Sequence, residues 1–151
     1  MPQSGRRQRL PQVLTGVAIA VVLVHLYGLY RPSGPTSPSW FPHADKLQHV
    51  LGFAAPVALI LLARLARDRA AGTTRSPAGR FGLVVVAIFA LHGVVSELVQ
   101  QVAYVHRTGD PIDVLADWAG VAAGWAAAGV LGSGALRRLG PGVAADLPMP
   151  R

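Results

Sequence analysis

The chain has 151 residues, of which 52% are hydrophobic and only 14% charged. A soluble domain carries about 25% charged residues, so this composition does not fit a water-soluble globular fold. The lack of cysteine excludes disulfides and thiolate metal sites. The formal charge of +7 does not signify nucleic acid, because the basic residues flank long apolar runs, where anionic lipid headgroups account for them.

Residues 1–11 form a basic segment with Arg6, Arg7 and Arg9. An apolar run from about Val13 to Tyr30 follows, and it continues past the small residues Ala18 and Ala20, so it reads as an uncleaved first helix rather than a signal peptide. A loop rich in Pro, Ser and Gly separates it from a second span, which opens at Asp45 and runs to about Leu65. An arginine-rich loop leads to a third span, from about Phe81 to Tyr104. After a turn at His106–Asp110, Pro111 stands at a favoured first helical position, and a fourth span runs to about Leu136. Each run is long enough for a hydrocarbon core of about 30 Å. The expectation is an all-α polytopic membrane protein, with four transmembrane helices in a compact bundle over residues 12–136. Residues 137–151, rich in Pro and Gly, are expected to form a disordered cytoplasmic tail.

The positive-inside rule orients the chain. With the N-terminus in the cytoplasm, eleven arginines fall inside, against Arg31, Lys46 and Arg107 outside. Both termini are therefore expected to be cytoplasmic and the protein to be a multi-pass component of the cytoplasmic membrane. Tyr27, Tyr30, Trp40, Tyr104 and Trp118 fall near the outer boundary, as in an interfacial aromatic belt.

This topology would bring three polar pieces to one outer rim. Asp45, Lys46 and His49 open the second helix, Glu97 and Gln100 lie near the end of the third with Arg107 beyond, and Asp110, Asp113 and Asp117 open the fourth. Carboxylates within a membrane helix cost roughly 2.5–3.5 kcal/mol each at its centre and are usually paired, wet or functional. Capping is the plain role for Asp45 and Asp110, each of which begins a capping-box pattern. Asp117, a turn deeper, needs a partner, for which Arg107 or Lys46 would serve. Glu97 sits too far inside its span to cap its own helix, and a buried pair with Arg107 is the structural alternative. His25 and His92 read as satisfied core or interfacial histidines. His43, Asp45 and His49 lack standard ligand spacing, so neither a metal nor another cofactor is expected. Gly120 and Gly124 form a GxxxG on the fourth helix, predicting close approach to a neighbour or, alternatively, a homodimer seam.

These pieces resemble the VanZ-like family of small bacterial membrane proteins. The resemblance rests on Asp45-Lys46-x-x-His49-x-x-x-Phe53, then Glu97-x-x-Gln100, then Arg107 followed six residues on by Asp113, then Gly120. With the spans it covers most of residues 12–136. Asp117 stands where the family typically has Asn. The resemblance implies a cell-envelope role, since the family's best-known member is linked to low-level resistance to the glycopeptide teicoplanin. It does not supply a mechanism.

Three functions are open at this stage. One is a module that binds or modifies an envelope lipid or lipid-linked cell-wall precursor, with Asp45, Lys46, Gln100, Arg107, Asp110 and Asp117 as ligand-binding residues. Lys46, Arg107 and the start of the fourth helix would then receive an anionic headgroup. The second is an intramembrane hydrolase or transferase, with Glu97 or Asp113 as general base and His49 as general acid. The third is a structural protein whose polar residues only cap and pair. Membrane lipids are the expected partners and nucleic acid is not.

Overall fold

In a computed structural model of the full chain, backbone is described for residues 3–32, 41, 43–73, 75–104 and 108–138, and side chains for those of them between 9 and 133. Arg107 and the segment beyond Arg138, to which the sequence assigned a ligand-binding role and a disordered tail, lie outside the described residues. The described chain is all-helical: α1 (Gln3–Tyr30), α2 (Ala44–Ala70), α3 (Arg80–Ala103) and α4 (Pro111–Arg138). All four helices contain a segment long and apolar enough to cross a membrane.

The helix boundaries follow from local chemistry. α2 ends where Gly72 turns left-handed at φ 73°. The N–H groups of Ala71, Gly72 and Thr73 then return to the carbonyls of Arg67, Arg69 and Asp68, closing the last turn. α4 begins at Pro111, whose missing N–H costs nothing at a first turn. Asp110 Oδ1 accepts the Ile112 N–H at 2.8 Å, so Asp110 caps α4 as the sequence suggested. Asp45 does not cap α2: the residue at the cap is His43, which makes no side-chain cap bond, and the Asp45 carboxylate instead faces Lys46 at 3.3 Å.

α2 and α4 form the closest pair, α1 packs along α2, and α3 packs along α4. Small residues set that order. A Cβ placed on Gly120 would collide with the carbonyl oxygen of Val50, and one on Gly124 with that of Ala54. Close approach to a neighbouring helix, expected at these two glycines, is met by α2 of the same chain. The core joins Phe53, Val57 and Leu61 of α2 to Val85 and Phe89 of α3, Val121 and Ala128 of α4, and Leu29 of α1.

The surface is the reverse of a soluble protein's. Val102 is 82% exposed, Val130 71% and Val24 70%, while Asp117 is fully enclosed and Glu97 only 5% exposed. Exposed apolar walls around buried carboxylates are stable when the surroundings are lipid. Between helices in lipid, close van der Waals packing and interhelical hydrogen bonds replace the hydrophobic drive, which is the role of the α2–α4 seam.

The two ends of the bundle differ in charge. One end holds Lys46, His49, Glu97, Asp110, Asp113 and Asp117 in mutual contact. The other holds arginines: Arg64 clasps Asp68 at 2.9 and 3.0 Å, Arg67 reaches Thr15, and Arg69 donates to the Gly132 carbonyl.

Candidate functional site

The polar end is built from single turns of α2, α3 and α4. Lys46, on the first turn of α2, sends its ammonium across to α4, where Asp110 Oδ2 and Asp113 Oδ1 accept at 2.6 Å each. Asp45 Oδ2 stands 3.3 Å from the same nitrogen. An ammonium has three donors, and here each has a carboxylate neighbour. Lys46 is thus consumed inside the cluster, and the role of receiving an anionic headgroup does not fit it. Its bond, with the Ile112 N–H, holds the Asp110 carboxyl below the usual carboxylate range.

One turn along α2, His49 meets the deeper carboxylate. Its Nδ1 lies 2.8 Å from Asp117 Oδ1, and its Nε2 faces Asp113 Oδ2 at 3.7 Å. Asp117 therefore takes His49 as its partner, where the sequence had offered Arg107 or Lys46. Helical spacing explains the pairing: Lys46 and His49 are three residues apart, Asp113 and Asp117 four, so each pair presents one face at matching height. The close α2–α4 approach, which only glycine permits at Gly120 and Gly124, brings those faces into hydrogen-bond range.

α3 supplies the third wall. Glu97 Oε2 accepts the Asp110 N–H at 3.0 Å, and Gln101 Oε1 accepts the Gly109 N–H at 2.9 Å. Glu97 cannot cap its own helix, but it ties down the approach to α4 across the bundle. Gly109 permits this approach, since a Cβ there would strike the Glu97 carbonyl oxygen. Asp45 Oδ1, Glu97 Oε1, Gln100 Nε2 and Asp117 Oδ2 are buried with no hydrogen-bond partner. Unmatched buried polar atoms cost about 1–3 kcal/mol each, and four of them lie at this end of the bundle.

Two features bordering the cluster were not legible in sequence. A cleft of about 190 Å3 lies between α1 and α2, walled by Val24, Leu29, Gly52 and Phe53, with Arg31, Gln48 and His49 among its polar lining. His49 therefore borders both the carboxylate cluster and an apolar cleft. Next to it lies a ring cluster in which His25 meets Phe53 edge-on at 4.6 Å and His92 at 5.4 Å. The Nε2 atoms of both histidines are buried without a hydrogen-bond partner, so the expectation of satisfied histidines is corrected at those atoms. Aromatic packing surrounds both rings, and His25 also hydrogen-bonds the Gly52 backbone.

Of the residues singled out from sequence, the structure gathers Asp45, Lys46, His49, Glu97, Asp110, Asp113 and Asp117 into one connected cluster. Gln100 is buried on α3 one turn from Glu97. Tyr104 and Trp118, assigned to an aromatic belt, also donate to the backbone carbonyls of Tyr30 and Ala90 at 2.7 and 3.0 Å. No protein-family model, curated protein or solved structure matches this chain.

Chemically, the cluster offers acceptors in excess of donors, one imidazole between two aspartates, and an apolar approach. It suits a hydroxyl, amide, amine or cation better than a phosphate.

Proposed function

We propose that the protein is a VanZ-like integral membrane protein of the bacterial cell envelope. In this reading it lies in the cytoplasmic membrane with both termini inside, and its carboxylate rim faces outward. There it binds or modifies an envelope lipid or lipid-linked cell-wall component, with a consequence for glycopeptide susceptibility. The observation that carries the reading is the junction at His49, where the carboxylate cluster meets the apolar α1–α2 cleft. An amphiphile with a polar hydroxyl or amine head and a hydrocarbon chain matches both halves. The apolar exterior and the arginine-rich opposite end support the same placement.

A second reading, an intramembrane hydrolase or transferase, is favoured by the Asp113–His49–Asp117 arrangement. An imidazole oriented by one carboxylate and facing a second can hold or move a proton at Nε2.

Glu97→Gln tests both readings. Gln keeps an oxygen for the Asp110 N–H and removes the charge. Membrane abundance, envelope lipid composition and glycopeptide susceptibility are measured on the same strains. Normal abundance with altered lipids or susceptibility is the expected result. Normal abundance with both unchanged refutes a functional rim, and a fall in abundance assigns Glu97 to structure alone.

A further inference from the structure

Three residues of the cluster share a pattern. Each has one polar atom held by a neighbour and a second left over. His49 has Nδ1 on Asp117, Asp113 has Oδ1 on Lys46, and Glu97 has Oε2 on the Asp110 N–H. One ligating atom from each of the three can be chosen so that all lie within 4.8 Å of one another, and His49 Nε2 and Asp113 Oδ2 stand 3.7 Å apart. Glu97 is 95% buried by its 5% exposure, and its Oε1 has no partner. A glutamate so enclosed with a free oxygen points to a missing positive group.

We propose that His49, Glu97 and Asp113 are the protein ligands of a divalent first-row cation of the zinc class. In the tautomer whose Nδ1–H donates to Asp117 Oδ1, the Nε2 lone pair is turned toward two carboxylates. Three acceptors facing one point repel unless a proton or a cation joins them, and a bound cation would satisfy all three at once. The outer partners then have defined roles. Asp117 fixes the ring and its tautomer, as carboxylates behind metal-bound histidines do, and Lys46 and the Asp110 N–H orient the two carboxylates. A tetrahedral centre with bonds of about 2.1 Å places its ligands about 3.4 Å apart, so the 3.7 Å pair is close to that spacing and the triad closes by side-chain rotation. An imidazole donor favours zinc-class ions over magnesium or calcium. Three protein ligands leave a fourth position for water or a ligand group. Because the three donors come from three helices, no linear spacing rule reveals them. The site is independent of which envelope molecule the rim receives.

The test uses the full chain purified in detergent without a histidine tag and stripped with chelator. Zn2+ is titrated against a chromophoric chelator, and Co2+ is followed by its visible ligand-field absorption. One Zn2+ per chain is expected, with affinity lowered more than about tenfold in His49→Ala, Glu97→Gln and Asp113→Asn, and about 10- to 100-fold in the positioning variant Asp117→Asn. Exposed His43→Ala should bind as the wild type does. Glu97→Gln and Asp113→Asn are isosteric, so they carry the test if His49→Ala fails to fold. Absence of saturable binding by the wild type, or binding unchanged in folded variants, overturns the proposal.

Discussion

Replacing Gly120 by Ala isolates the contact that assembles the polar end. The new Cβ would strike the Val50 carbonyl oxygen and stand 3.0 Å from Phe53 Cβ and 3.1 Å from the Val50 carbonyl carbon. Two of these atoms are backbone, so no rotamer change relieves the contact and α2 and α4 must separate. Overpacking of this kind costs about 1–3 kcal/mol, against a gain of about 0.5–1 kcal/mol from the better helix propensity of Ala. The separation has a second effect. An opening of about 1 Å would stretch the 2.6 Å Lys46–Asp113 and 2.8 Å His49–Asp117 contacts beyond hydrogen-bond range. The control is Gly16→Ala, also in a helix, where nothing lies within 4 Å of the added Cβ. Thermal unfolding of both variants in detergent, followed by helical circular dichroism, should show Gly120→Ala several degrees below wild type, at about 2–4 °C per kcal/mol for a chain of this size. Gly16→Ala should match or exceed wild type. Equal midpoints for the two variants would refute the argument that this glycine sets the α2–α4 distance.

A double-mutant cycle of Lys46→Met and Asp113→Asn should return a coupling energy of about 1–2 kcal/mol, since the bond is charge-assisted and only partly open to solvent. A coupling below about 0.3 kcal/mol would mean that the ammonium is held by Asp45 and Asp110 alone. The absence of native cysteine makes topology accessible to single-cysteine labelling. In intact cells an impermeant maleimide should label Thr108→Cys at the polar end, and should label Arg75→Cys at the arginine end only after permeabilisation. The reverse pattern would overturn the outward-facing rim.

Number and order of the helices were legible in the sequence because each depends on local properties: an apolar run of spanning length, a proline at Pro111 and an aspartate cap at Asp110, although α2 runs past the expected Leu65 to Ala70. The expected gathering of Lys46, His49, Glu97, Asp113 and Asp117 at one end also followed, since helices of similar length joined by short loops alternate in direction. Which residue pairs with which did not follow. Asp117 takes His49, Glu97 ties the entry to α4, and Lys46 is shared among three aspartates.

Primary structure, then, fixes this chain's segments and the end of the bundle at which its charges collect, because hydrophobic length and charge bias act residue by residue. The partners of those charges were decided only in three dimensions. They depend on the distance and rotation between α2 and α4, which two glycines against the Val50 and Ala54 carbonyls impose. The same glycines, read alone, left a dimer as an alternative, since a small-residue stripe does not say which helix will lie against it.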